Sequence, residues 1–161
     1  MIRKATMADM GELQVIYHNA RQYIKNTGNP TQWGDTNPPV AKLEKDIELG
    51  QLYVCYDDEE IYGAFVLQPG IEPNYVTPRE GKWLNEEPYG TVHRIASRGT
   101  RSGVLDEAIG FCKTQIDNVR IDTHPNNKTM QHLCTSRGFV ECGRITIARD
   151  GSERIIYHWM K

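Results

Sequence analysis

No stretch of this 161-residue chain stays apolar long enough to span a bilayer. The opening Met1-Ile2-Arg3-Lys4-Ala5 lacks the apolar core of a secretory leader. The expectation is therefore a cytoplasmic protein without a membrane partner. Charge of one sign is also missing: 19 Lys and Arg are interspersed with 21 Asp and Glu, leaving a net charge of -2. Without a basic stripe, nucleic acid is excluded as an expected partner. The four cysteines, Cys55, Cys112, Cys134 and Cys142, form no Cys-x-x-Cys pair. That spacing offers neither a zinc site nor a disulfide framework, and it predicts reduced, mostly buried thiols. Internal repeats and low-complexity tracts are absent, and residues 1–161 read as one domain with a single core.

What is present is an alternation of strand and helix patterns. Ile2 to Ala5 reads as a short first strand. Thr6 and Asp9 follow at capping-box spacing, and Leu13, Ile16, Tyr17, Ala20 and Ile24 then recur at helical period. Asn26-Thr27-Gly28-Asn29-Pro30 ends that helix, and Thr31 to Pro39 is too polar and broken for a regular element. A second helix turns Val40, Leu43 and Ile47 inward and closes at Gly50. Leu52–Tyr56 and Ile61–Leu67 form a hairpin across Asp57-Asp58-Glu59-Glu60, an acidic turn read as solvated because no converging metal ligand accompanies it. A long excursion from Gln68 to Tyr89 carries Trp83 and Tyr89, either as pocket walls or as pins to the core. Thr91 to Ser97 is the next strand, and the helix after Gly103 buries Ala108, Ile109, Cys112 and Ile116. The chain closes with Phe139–Ala148 and Glu153–Met160 joined at Asp150-Gly151. Strands alternating with helices and ending in an antiparallel pair describe an α/β fold, a mixed sheet with helices on both faces.

Two segments carry chemistry. Between Ser97 and Val104, glycines sit in a turn that feeds a helix N-terminus, where unpaired amides and the helix dipole suit an anion. Between Val119 and Phe139, an apolar strand breaks at His124-Pro125-Asn126-Asn127. Asn127 there suits a helix N-terminus, Gly138 suits the left-handed stop of that helix, and Phe139 anchors the following strand.

The spacing of Asn127, Met130, Leu133, Cys134, Gly138 and Phe139 resembles the segment after the fifth strand of the GNAT family of N-acetyltransferases. The usual family pattern there is Asn, a small residue, an apolar residue, Tyr, then Gly-Phe. In that family the glycine turn reads Gln or Arg, two residues, Gly, one residue, then Gly or Ala, and its amides hold the pyrophosphate of acetyl coenzyme A. Two registers fit here. One runs from Arg98 to Gly103 and puts Arg101 at the middle glycine. The other starts at Thr100 and puts Gly103 in the middle with Leu105 last; it is preferred because Ala108 and Ile109 then take the apolar helix positions. Arg98 and Arg101 would add guanidinium contacts to phosphate.

The resemblance implies a GNAT-like sheet that splays between the strands of Ile95 and Ile121. Acetyl coenzyme A is the implied co-substrate, without a metal. Backbone groups of Ile95, Ala96 and Ser97 would pair with the pantetheine arm, and Thr100, Arg101, Ser102, Gly103, Val104 and Asn127 complete the implied coenzyme-binding set. One amide of the strand would stabilise the oxyanion formed as an amine attacks. His93, two residues before Ile95 and so on the same strand face, is the first candidate base. The alternative is a histidine satisfied within the sheet. His124, Glu86 and Glu87 are substitutes. Cys134 stands where the family often places an acid Tyr; it reads either as a donor or as a small buried helix residue, with Tyr157 or water in reserve. The acceptor pocket is expected from Trp33-Gly34-Asp35, the Gln68–Tyr89 excursion, and the hairpin of Tyr157 and Trp159. These residues leave a small polyamine, aminoglycoside, amino acid or peptide N-terminus open as the acceptor. The aromatic C-terminal strand, taken as exposed, permits a homodimer. The implied reaction is acetyl transfer to a primary amine by direct attack in a ternary complex, with a non-catalytic acyl coenzyme A sensor as the competing reading.

Overall fold

The computed structural model describes residues 1–27, 33 and 36–161. Among them are seven strands and four α-helices. In chain order they are β1 (Ile2–Lys4), α1 (Met10–Asn26), α2 (Val40–Glu48), β2 (Leu52–Tyr56), β3 (Ile61–Pro69) and β4 (Gly90–Ser97). Then come α3 (Val104–Gln115), β5 (Asn118–Thr123), α4 (Lys128–Ser136), β6 (Val140–Thr146) and β7 (Glu153–Met160). The strands form one open sheet in the order β1-β2-β3-β4-β5-β7-β6. It is mixed, as the alternating pattern predicts: β4 and β5 run parallel, while β5 with β7 and β6 with β7 are antiparallel.

The chain divides into two compact units, Met1–Gln68 with Val92–Phe111, and Pro69–Thr91 with Cys112–Lys161. In the first, the Asp9 carboxylate accepts from the Thr6 amide at 2.8 Å and takes both Arg3 guanidinium nitrogens at 2.8 and 2.9 Å, so the predicted cap also ties β1 to the helix start. Leu13, Ile16, Tyr17 and Ala20 of α1 pack with Leu43, Leu52, Val54, Ala64, Val66 and Ala96 in one apolar cluster. Trp33 packs against this cluster and lies 5.8 Å from the Tyr17 ring, so it covers core. Val40, expected inside, is 37% exposed, whereas Asp46, six residues further along the helix, is 2% exposed. The buried stripe of α2 thus runs through Leu43 and a carboxylate that binds Arg94. The Gly28-Asn29-Pro30 stop and the Gly34-Asp35 part of the acceptor wall lie outside the described residues.

In the second unit, Tyr75, Trp83, Tyr89, Cys142, Ile145 and Ile156 form a separate apolar cluster. Trp83 and Tyr89 therefore pin the long excursion to the core: their rings lie 4.1 and 3.8 Å from the guanidinium of buried Arg120. The C-terminal strand is not the sheet edge. β7 is hydrogen-bonded on both sides and Tyr157 is buried, while β6 stands at the edge. That edge is itself bridged at Arg144 by Arg79, whose amide and carbonyl each pair with Arg144 at 2.8 Å.

Candidate active site

The predicted anion turn takes shape where β4 ends. Gly99 (φ 94°) and Gly103 (φ 79°) both hold the left-handed conformation that a side chain would resist. The first helical bond of α3 runs from the Glu107 amide to the Gly103 carbonyl at 3.0 Å. The amides of Val104, Leu105 and Asp106 therefore precede the intrahelical ladder, and the dipole of a twelve-residue helix adds to them. No atom lies within 4 Å of where a Cβ on Gly103 or Gly99 would sit, so this face of the turn is open. Leu105, at the last position of the preferred register, is half-buried.

The turn's cations are held by carboxylates. Arg101 pairs with Asp57 at 2.7 Å and Glu60 at 2.9 Å, and its guanidinium lies 3.8 Å from the Tyr62 ring. Arg98 donates to the Ile61 carbonyl at 2.7 Å and pairs with Glu12 and Glu60. The Thr100 hydroxyl donates to Glu60 at 2.7 Å. Hydrogen bonds from the Glu60 and Glu59 amides, then from Arg101, hold the Asp57 carboxyl at about 2, and hydrogen bonds from Thr100 and then Arg101 hold Glu60 below its ordinary range. The acidic turn, expected to be merely solvated, is thus the docking point for the turn of residues 98–103, a role that no local pattern announces.

Upstream, β4 carries an irregularity. Arg94 sits at φ 48° within the strand, so the alternation that would bring Ile95 to the face of His93 is interrupted between them. His93 and Ile95 are half-buried and Ala96 is buried. Among the described residues, the β4–β5 ladder comprises Gly90↔Val119 and Thr91↔Arg120 and ends before His93. Ser97 turns its hydroxyl to the Gly99 amide at 3.1 Å, and Ser102 is exposed.

In the second unit, Asn127 caps α4 as predicted, its Oδ1 accepting from the Met130 amide at 3.1 Å. Gly138 adopts φ 83° after the last turn, and Phe139 is buried. His124 serves this turn: its Nδ1 accepts from the Asn126 amide at 3.0 Å, and burial followed by the charge of Arg154 lowers its pKa. Cys134 faces the interior at 1% exposure, where burial and then the Asp122 charge push its thiol up to about 12. Tyr157 is likewise pushed up to about 12, chiefly by burial. Glu86 and Glu87 are exposed on the excursion.

One polar cluster escapes sequence reasoning. Buried Tyr75 donates to Asp122 at 2.7 Å, and Arg154 lies 3.6 Å from the other oxygen of that carboxylate. The three residues are scattered over 79 positions, so only the fold collects them. Among the described residues, no cluster of three or more His, Cys, Asp or Glu is placed to hold a metal, and no helix is long and apolar enough to cross a membrane.

This fold recurs in solved structures. The whole chain superposes on an acetyltransferase of the GNAT family from Streptococcus agalactiae, with 30% identity, a TM-score of 0.89 and 95% of that chain covered. The chain therefore belongs to the GNAT family of acetyltransferases and is an acyltransferase. A GNAT-family acetyltransferase from Listeria monocytogenes matches at 20% identity and a TM-score of 0.74, with 100% of this chain and 94% of that one covered. PaiA N-acetyltransferase from Thermoplasma acidophilum, solved in complex with coenzyme A, matches at 17% and 0.67 over 100% and 98% of the two chains. These two speak to the fold alone. By sequence, no family profile matches the chain. Nor does any curated protein.

Proposed function

We propose that residues 1–161 form one cytoplasmic acetyltransferase domain that moves an acetyl group from acetyl coenzyme A to a primary amine by direct attack in a ternary complex. The observation that carries this reading is the open glycine turn at Gly99–Gly103, which leads into the unpaired first-turn amides of α3. A diphosphate fits such a seat because backbone donors and a helix dipole converge there without a side chain in the way. Val104, Gly103, Ser102, Arg101 and Thr100 would hold it. Since Arg98 and Arg101 are already paired with carboxylates, backbone amides rather than guanidinium groups supply most of the grip. Asn127, whose side chain caps α4, would complete the coenzyme-binding set.

Acetyl coenzyme A supplies an activated carbonyl when bound. The chain's part is to orient it and to move protons. Backbone groups of Ile95, Ala96 and Ser97 would align the pantetheine arm, and an amide among them would face the carbonyl oxygen as negative charge develops. His93 would take the proton of the amine, directly or through water. Cys134 is a poor donor with its thiol near 12; water is the better proton source for the departing thiolate.

Thiol release from acetyl coenzyme A in the presence of an amine panel tests the proposal. Amine-dependent release supports transfer. Tight coenzyme binding without release would favour a non-catalytic acyl coenzyme A sensor, and absence of any thermal shift with coenzyme A would overturn both.

A further inference from the structure

Arg94 is not a residue that chooses a left-handed backbone. A non-glycine side chain at φ 48° inside a strand persists only when its surroundings over-determine it. Two buried groups do so. The carboxylate of Asp46, on α2 and 2% exposed, accepts from Arg94 Nε at 2.9 Å. The hydroxyl of Tyr17, on α1 and 1% exposed, donates to the Arg94 carbonyl at 2.7 Å. One contact fixes the side chain and the other fixes the peptide plane, from two different helices. Lys42, one helix turn before Asp46, lies 3.8 Å from its second oxygen and steadies the carboxylate.

The position of this clamp matters more than its strength. Arg94 stands between His93 and Ile95, so its φ and ψ set how the imidazole is disposed relative to the amides of Ile95 and Ala96. Were Arg94 to relax to an extended conformation, the peptide between Arg94 and Ile95 would turn over, and a donor at Ile95 would point elsewhere. We propose that Asp46 and Tyr17 are positioning residues for acetyl transfer, holding the Arg94 kink that aims the β4 donors and His93 at one reacting centre. The inference rests on the reading of β4 as the coenzyme strand, and it assigns to α1 and α2 a role beyond packing. A purely structural ion pair would stabilise the fold and leave the chemistry alone.

The two cases separate by experiment on the full chain. Asp46→Ala is expected to lower kcat/KM for acetyl coenzyme A by roughly ten-fold or more at a temperature where the variant is fully folded. Asp46→Asn, which keeps an acceptor oxygen, loses less. Arg94→Gly placed in the Asp46→Ala background restores most of the loss, because glycine holds a positive φ without a clamp. In the coenzyme-free protein, the Cα and Cβ chemical shifts of Arg94 move toward strand values in Asp46→Ala. Tyr17→Phe, which keeps its ring in the core, shifts both readouts in the same direction and stands in should Asp46→Ala not fold. A kcat/KM within two-fold of the parent, or no recovery in the double variant, would overturn the proposal. A parent that binds no coenzyme would instead sink the assigned function, while the Arg94 shifts would still decide whether the clamp holds the kink.

Discussion

Gly63 on β3 offers the sharpest test of how the glycine turn before α3 is seated. A Cβ at this position would lie 2.4 Å from Val104 Cγ1, 3.3 Å from the Ala96 carbonyl oxygen and 3.4 Å from Cys55 Cβ. Carbon atoms in contact prefer separations of about 3.5–4.0 Å, so Gly63→Ala demands a shift of roughly 1 Å between β3 and the first residue of α3. The strand has little room to retreat, with the Ala96 carbonyl and Cys55 already close; the helix start must move. Overpacking of this kind costs about 1–3 kcal/mol, which in a chain of this size lowers Tm by roughly 2–12 °C. Moving Val104 also moves the amides proposed to hold diphosphate, so the Kd for coenzyme A should rise alongside the fall in Tm. Calorimetric titration and thermal melts read the two effects separately. Val104→Ala removes the clashing methyl and should relieve the Gly63→Ala defect, giving a coupling of about 0.5–3 kcal/mol in a double-mutant cycle. A Gly63→Ala protein with parental Tm and affinity, or strict additivity with Val104→Ala, would refute this account of the turn.

Loss of the α4 cap in Asn127→Ala should destabilise the protein by about 1 kcal/mol, read as a lower urea midpoint at unchanged slope, whereas Asn127→Asp should retain stability. Tyr75→Phe removes the donor to a carboxylate and should cost about 1.5–3 kcal/mol by the same measurement. Stability should fall in two stages on acidification. His158 is lowered from 6.5 to about 4, first by burial and then by the Arg120 charge, so between those values the unfolded chain binds the extra proton and the folded state loses ground as pH drops. Asp150, lowered from 3.8 to about 2 by its bonds to Ser152, adds a second loss in that lower window. Urea midpoints across pH 7 to 3 should show both, and His158→Gln should flatten the first. Finally, Glu60→Gln should loosen Arg101 from its carboxylate pairs and tighten coenzyme A binding severalfold at low salt; unchanged or weaker affinity would mean that the guanidinium takes no part.

Most of the fold was legible because the buried faces obey simple periods. The α1 stripe, the β2 and β7 limits, the Asn127 cap and the Gly138 stop all follow from side-chain spacing and backbone chemistry, and the structure reproduces them. The failures share a different cause. Val40 and β7 were misplaced because an apolar residue at a helix start and an aromatic strand at a chain end look alike whether they face solvent or a neighbour. Sequence periodicity reports a face, not what lies against it.

The geometry of the candidate site was legible only where it rests on the backbone. Gly99, Gly103 and Asn127 announce themselves because positive φ and helix capping restrict which residues serve. The kink at Arg94 carries no such signature, since nothing local to Thr91–Ser97 favours it; it is imposed by Asp46 and Tyr17, separated from Arg94 by 48 and 77 positions. The same holds for the Asp57 and Glu60 grip on Arg101. A carboxylate is cheap to leave in water and expensive to bury alone, so Asp46 on the buried stripe of α2 implies a cation held in a fixed place. Had the helical period of α2 been read with Asp46 inside and Val40 outside, a buried partner in a neighbouring strand would have been required. Arg94 is the guanidinium that answers that requirement.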